Sequence, residues 1–235
     1  QRVEVFSIAN NLFKKENLNV TDLTQQLQDM REEYDGTPLR KADMDACPFA
    51  QFSNWLLDAQ KAKVPDPNAC SLATVDSESK PMARAVLLKG LEEEKFTFYT
   101  NYNSRKAKHL EGNPHATMHF PWFSMERQVV VSGRVEKVAV GQSVEYFQSR
   151  PLMSKLGAWA SRQSESLDSR ETLERSFLEA REQQGEQPVK PDHWGGYALE
   201  PVLIEFWQGG QSRLHDRFIY ELGENGHWNI QRFYP

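Results

Sequence analysis

Two cysteines, Cys47 and Cys70, are too few in 235 residues for a disulfide framework or a cysteine-rich zinc site. They read as buried, reduced thiols of a cytoplasmic protein. No run approaches the roughly 18 apolar residues of a membrane span, and the first residues lack the basic-then-apolar pattern of a signal peptide. The chain opens on Gln1, which leaves room for a trimmed segment upstream. Positive charge is in the minority: 28 Lys and Arg against 33 Asp and Glu give a net charge of −5. A nucleic-acid binder is usually basic, so neither DNA nor RNA is expected as the main partner. Any anion must be met by a local cluster of cations. Several motifs are missing too. No GxGxxG follows a strand and there is no GxxxxGK[ST], HExxH or GxSxG, so dinucleotide, serine-nucleophile and metallohydrolase chemistry lack support. His115 and His119 share a strand face but have no acidic or cysteine neighbours, so no metal site is expected.

What is present is a chain with 39% hydrophobic residues, long enough to bury a full core. Residues 1–30 read as a polar arm leading into a helix, and 31–235 as a single domain. Leu23, Leu27, Met30 and Tyr34 form a helical stripe that Asp35-Gly36 stops, and a second helix starts near Pro48 with Phe49, Phe52, Trp55 and Leu56 on one face. Both read as packing elements. The middle is rich in short β runs: Cys70–Val75, Met82–Leu91, Phe96–Thr100, His115–Phe120 and Arg127–Val138. Short connections between them predict an antiparallel barrel and not βαβ units. Helices return after Val140, one of them opened by a capping box at Asp168 and Glu171. The tail is β again over Tyr197–Trp207, Arg217–Tyr220 and Trp228–Phe233, with Pro201 making the first an edge or bulged strand. The expected class is α+β, an antiparallel barrel with surrounding helices.

Four cationic clusters are candidate anion sites. Arg105 and Lys106 open a short helix after Asn103-Ser104, where the helix dipole disfavours them unless an anion sits over the terminus; a solvated face is the alternative. Arg84 and Lys89 point to opposite faces of a strand, serving two ligands or two ends of one pocket, or simply meeting water. Tyr146 and Arg150, i and i+4 on a helix, converge with Ser154 past Pro151 in a set that suits a phosphate monoester, or make a surface stacking pair. The most informative run is Trp207 to Arg217. If extended, it stacks Arg213, His215 and Arg217 on one face, an adverse pile-up unless an anionic ligand lies across it.

The Trp207–Arg217 run, Ser149-Arg150-Pro151 with Ser154, Gly157-Ala158-Trp159 and Gln163-Ser164, and the shorter Glu126-Arg127-Gln128-Val129 and Ser104-Arg105-Lys106 together resemble the pyridoxine (pyridoxamine) 5′-phosphate oxidase family from about Arg31 to Pro235. The resemblance implies an FMN-binding split β-barrel, Greek-key-like, assembled as a homodimer with FMN at the interface. By position, Arg84, Ala85, Val86, Leu87, Leu88, Lys89, Tyr99, Thr100, Arg105, Lys106 and Gln128 would hold FMN. Gln163, Ser164, Trp207 and Arg217 would complete its site, partly from the other subunit. Lys89, Tyr146, Arg150 and Ser154 would grip the substrate phosphate, with Arg213, Leu214 and His215 over the pyridine ring and Arg31 and Tyr34 covering it. Lys155-Leu156 and Gln211-Ser212 depart from the family's commoner residues without removing a named contact.

The implied reaction is oxidation of pyridoxine 5′-phosphate or pyridoxamine 5′-phosphate at the 4′-carbon. Hydride passes to flavin N5, and O2 reoxidises the flavin to give H2O2. The product is pyridoxal 5′-phosphate, with ammonia released from the amine. Arg213 and His215 are the expected catalytic residues: the arginine orients, and the histidine either exchanges a proton near neutrality or only positions. A sister flavin oxidase acting on a phenazine precursor and a non-catalytic flavin or pyridoxal phosphate carrier are the rival readings. Retention of Arg213-Leu214-His215 beside the phosphate set argues against the first.

Overall fold

The computed structural model describes residues 20–30 and 33–235, and the chain divides into two compact units between Tyr34 and Asp35. In the first unit, helix α1 spans Val20–Asp29, ending sooner than its stripe suggests. Leu23, Leu27 and Met30 are exposed along it. Among the described residues of that unit no second element exists to cover it. Arg31 lies outside the described residues.

The second unit is built on nine strands. β1 is Ala69–Val75, β2 Pro81–Leu87, β3 Gly90–Glu92, β4 Lys95–Asn101, β5 His115–Trp122, β6 Arg127–Lys137, β7 Trp194–Gln208, β8 Asp216–Leu222 and β9 Trp228–Phe233. All pair antiparallel in the order β2-β1-β5-β6-β7-β4-β3, with β8 on β7 and β9 on β8. The long β7 is the shared element. Its first half pairs with β4, its second half with β8, and β6 runs along the other side of both. Lys89 N–H donates to Thr97 O at 2.8 Å, so the end of β2 returns to β4 and the sheet curls on itself. Alternation along β1 and β5 sends Leu72, Met118 and Phe120 inward. The run 82–91 divides into β2 and β3 because Leu88 N–H turns to Asn68 O between them.

Pro201 lies at a bulge, one of its two expected positions, but β7 is an interior strand and not an edge. The register slips between Ser132, opposite Leu203, and Gly133, opposite Pro201. Pro201 has no N–H to give to the ladder. Gly133 is required there, since a Cβ would lie 2.0 Å from Glu200 O.

Helix α2, Pro48–Lys61, starts on a proline whose missing N–H costs nothing at that position, and packs its aromatic face into the barrel. Phe52 is fully buried, edge-on to Phe96 at 4.9 Å and Phe120 at 5.0 Å. Truncating such a side chain costs about 3–5 kcal/mol. The remaining helices are α3, Arg105–Gly112, α4, Val140–Ser149, α5, Leu152–Ala160, and α6, Arg170–Gln184. The cap of α6 is Ser169 and not Asp168: its hydroxyl accepts from Thr172 N–H at 3.3 Å, the reach a residue one position earlier lacks. Cys70 is buried, which pushes its thiol up to about 12, but Cys47 is exposed because it is the residue before α2 begins. No helix among the described residues is long and apolar enough to cross a membrane.

Candidate active site

A cavity of about 540 Å³ opens where the end of β2, the middle of β4, the start of β7 and the α4–α5 junction meet. Its walls include Leu87, Lys89, Tyr99, Thr100, Tyr146, Arg150, Ser154, Gln163 and Trp194. Pro151 makes the junction: α4 ends at Ser149, Arg150 turns extended with ψ 150°, and Pro151 leads into α5. Arg150 is therefore not the helical neighbour of Tyr146 that i, i+4 spacing suggests, because the residue before a proline is driven out of the helix. Both side chains still reach the cavity.

Rings set the position of that guanidinium. Tyr146 stacks on Tyr99 at 3.9 Å, Tyr99 on Trp194 at 5.5 Å, and Arg150 Cζ lies 4.6 Å over the Trp194 ring. Arg150 Nη1 is buried with no hydrogen-bond partner. Burial lowers its pKa, and burial raises that of Tyr146 against the opposing pull of Arg150. An unpaired guanidinium N–H in a polar cavity suits the oxygen of an anion.

Beside this wall is a second cationic corner. Lys106, in the first turn of α3, is only 7% exposed. Its ammonium reaches Gln163 Oε1 at 2.9 Å, Thr100 Oγ1 at 3.0 Å and Ser104 Oγ at 3.4 Å, and no carboxylate is among these partners. Burial, then the charge of Arg84, pushes its pKa down to about 8. Arg84 Nη1 donates to Thr74 Oγ1 at 2.6 Å and Leu72 O at 3.0 Å, while Nη2 is buried without a partner. Burial, then Arg105, disfavours its charge. Arg105 N–H donates to Ser164 Oγ at 3.2 Å, and Ser164 holds a positive φ of 75°. Three cations, one orphaned N–H and a helix N-terminus fit a phosphate group.

The flanking residues of β2 sort by alternation. Ala85 and Leu87 are exposed, Val86 is half-buried opposite Cys70, and Leu88 is buried.

The Trp207–Arg217 run is not extended. Gln211–Arg213 form a 3₁₀ turn, Ser212 and Arg213 have φ of 54° and 63°, and β8 begins only at Asp216. Arg213, His215 and Arg217 thus do not share a strand face. The turn takes Arg217 out of the like-charge row, and Arg217 has Glu205 as an acid partner at 2.8 Å. Gly210 allows the tight return, since a Cβ there would lie 2.2 Å from Leu214 O. His215 Nδ1 accepts from Gly210 N–H at 3.1 Å, and the imidazole lies 4.6 Å from the Trp207 ring. Burial first, then Arg213, lowers its pKa. Leu214 is 77% exposed. Strand register places Gln128, Trp207 and Arg217 side by side across β6, β7 and β8, on the face opposite the buried Val129, Phe206 and Phe218. This row does not line the 540 Å³ cavity of its own chain. Tyr34, half-buried, belongs to the first unit.

Residues 56–184 match the family model described as pyridoxamine 5′-phosphate oxidase, and residues 194–235 match that of the pyridoxine 5′-phosphate oxidase C-terminal dimerisation region. The chain is 50% identical over 210 residues to a pyridoxine/pyridoxamine 5′-phosphate oxidase from Cupriavidus pinatubonensis, covering 89% of this chain and 99% of that one. The chain belongs to the pyridoxine/pyridoxamine 5′-phosphate oxidase family. It is accordingly an oxidoreductase. Another member, from Bordetella pertussis, is 49% identical over 209 residues, 89% of this chain and 99% of that one. Among solved structures, PhzG from Burkholderia lata, in complex with tetrahydrophenazine-1-carboxylic acid, superposes with a TM-score of 0.81 at 27% identity, covering 87% of this chain and all of that one. A pyridoxamine 5′-phosphate oxidase-related, FMN-binding protein from Nostoc punctiforme shares the fold, with a TM-score of 0.67 at 17% identity over 82% of this chain and all of that one. The expected α+β split barrel is thus the family's fold.

Three residues that bear on the site escape the sequence reading. Trp194 lies just before the run expected as the last long strand, and a lone tryptophan carries no mark of its partners. Thr74 and His109 are 35 positions apart and meet only through tertiary structure, Oγ1 to Nδ1 at 3.1 Å.

Proposed function

We propose that the protein oxidises pyridoxine 5′-phosphate and pyridoxamine 5′-phosphate to pyridoxal 5′-phosphate, with FMN as cofactor and O2 as final acceptor. The observation that carries this reading is the convergence of Lys89, Tyr146, Arg150 and Ser154 on one cavity with Tyr99, Thr100 and Gln163, Arg150 keeping a buried N–H unpaired. The first four suit a substrate phosphate. Arg84, Arg105 and Lys106 suit the phosphate of FMN, with residues 85–88, Thr100, Gln163 and Ser164 along its length. FMN, when bound, supplies the two-electron acceptor for the substrate's 4′-carbon and the route to O2.

The chain's own part is binding, orientation and charge. Holding the phosphate at one end of the cavity fixes the substrate and makes the reaction effectively intramolecular. Arg213 keeps its charge at any working pH and serves as the electrostatic residue beside the ring. His215 Nδ1 is occupied as an acceptor by Gly210 N–H, so the neutral imidazole carries its proton on Nε2. With no bare ring nitrogen left to take a proton, the imidazole favours positioning over proton abstraction. Gln128, Trp207 and Arg217, lying off their own cavity, serve the site of a second copy in a homodimer.

Sequence kinship to PhzG supports a second reading, oxidation of an unphosphorylated phenazine precursor. Peroxide release by the FMN-loaded protein separates the two. Turnover of pyridoxine 5′-phosphate, with little of unphosphorylated pyridoxine or tetrahydrophenazine-1-carboxylic acid, is expected. Equal turnover of pyridoxine and its phosphate overturns the assignment of the phosphate grip.

A further inference from the structure

Arg84 is held by a buried side chain, Thr74, which is in turn held by a second, His109. Its Nη1 can only donate, so Thr74 Oγ1 accepts at 2.6 Å. The threonine hydroxyl has one proton of its own, and the side chain is 1% exposed, shut off from water. Its other hydrogen-bond neighbour is His109 Nδ1 at 3.1 Å, on a ring that is 9% exposed. The buried hydroxyl is satisfied only if it donates to that nitrogen, so Nδ1 is the bare, accepting nitrogen of a neutral imidazole. The donor direction then runs one way, from Arg84 to Thr74 to His109. The second bond of Nη1, to Leu72 O at 3.0 Å, fixes the plane of the guanidinium, and Nη2 is left buried and unpaired.

We propose that Thr74 and His109 are positioning residues that pre-set Arg84 for the phosphate of the bound flavin, an inference that rests on the flavin reading above. Without the relay, the guanidinium would be free to turn toward other acceptors, and the ordering would have to be provided on binding. Lost pre-organisation is lost affinity. The effect is confined to the phosphate end, since Thr74 and His109 act only through the Arg84 guanidinium.

The test is flavin affinity of the apoprotein, read from quenching of flavin fluorescence for FMN and for riboflavin, which lacks the phosphate. Thr74→Val keeps the shape and removes the hydroxyl; it is expected to weaken FMN at least tenfold and leave riboflavin unchanged. Thr74→Ser restores FMN affinity. At the far end, His109→Leu weakens FMN, while His109→Asn, whose carbonyl can accept in place of Nδ1, recovers part of the loss. This second pair keeps the test open if Thr74→Val does not fold. Native FMN affinity in Thr74→Val, with Arg84→Ala weakened, overturns the relay alone. Equal losses for FMN and riboflavin overturn it as well, showing a general structural defect. If Arg84→Ala also binds FMN like the native protein, the flavin reading of this corner fails and the relay falls with it.

Discussion

Arg127 and Arg217 differ from Arg84, Lys106 and Arg150 in one respect. The first two have acid partners, Asp58 at 3.2 Å and Glu205 at 2.8 Å. The other three are partly or largely buried against hydroxyls, amides, carbonyls and rings, and no carboxylate neutralises them. Burying an unpaired charge is expensive, and the fold tolerates it three times around one cavity. A cation with an acid partner has its charge balanced within the chain, at Arg127 as at Arg217, whereas the three without one need an anion to balance theirs. The contrast separates arginines that look alike in sequence, although an acid partner does not by itself take Arg217 out of the flavin site.

The largest test of this contrast is Arg150→Ala. If this guanidinium is kept for the substrate phosphate, its loss removes a charged hydrogen bond of about 1.5–3 kcal/mol. KM for pyridoxine 5′-phosphate should rise roughly 10- to 150-fold with kcat little changed. Steady-state kinetics decides it. A fall in kcat at constant KM would move Arg150 from grip to chemistry.

Arg213→Leu comes next, with kcat/KM expected to fall at least tenfold, about 1.4 kcal/mol, while FMN stays bound. The turn at Ser212 and Arg213 separates this side chain from Arg217, so the two substitutions should diverge. Arg217→Leu strands the Glu205 carboxylate, only 14% exposed, and is expected to lower flavin retention and thermal stability together. Flavin content after gel filtration, beside kinetics, separates them. Flavin loss in Arg213→Leu would assign that arginine to the cofactor.

The same residues show what could be read in the chain and what could not. Spacing alone picked out Arg84, Lys106 and Arg150, which the fold buries without an acid partner, because runs of like charge are a local property. The barrel was visible too, as alternating runs joined by short turns, and Pro201 announced its bulge. The conformation of Trp207–Arg217 was not, since its turn uses left-handed backbone at Ser212 and Arg213, residue types that give no such signal. Register across β6, β7 and β8, which sets Gln128 beside Trp207 and Arg217, exists only once the strands pair. The Arg84–Thr74–His109 chain is equally non-local.

Lys106 sharpens the comparison through pH. In the free protein its pKa is pushed down to about 8, whereas a bound phosphate would raise it. Below pH 8 the ammonium is already charged and FMN affinity should be flat. Above it, binding must take up a proton, and affinity should fall about tenfold per pH unit, ~1.4 kcal/mol, until the pKa of the bound state is reached. Lys106→Arg, charged throughout, should flatten the profile. FMN titrations from pH 7 to 9.5 test this, and a flat native profile would mean that the phosphate lies elsewhere.

The smallest effect belongs to Trp194, which holds no charge. Its ring lies 4.6 Å beneath Arg150 and closes the stack begun by Tyr146 and Tyr99. It thus compensates part of the burial of the Arg150 guanidinium, whose Nη1 has no hydrogen-bond partner. A partly desolvated cation–π contact is worth about 1 kcal/mol. Trp194→Leu should raise KM for the phosphorylated substrate about fivefold and leave kcat alone, with Trp194→Phe, which keeps a π face, close to native. Inhibition by inorganic phosphate should weaken in the same ratio, since the ring acts through Arg150 and not on the pyridine. In Arg150→Ala the Trp194→Leu effect should vanish, because nothing is left to support. Additive losses in the double variant would mean that Trp194 serves the cavity by filling space alone.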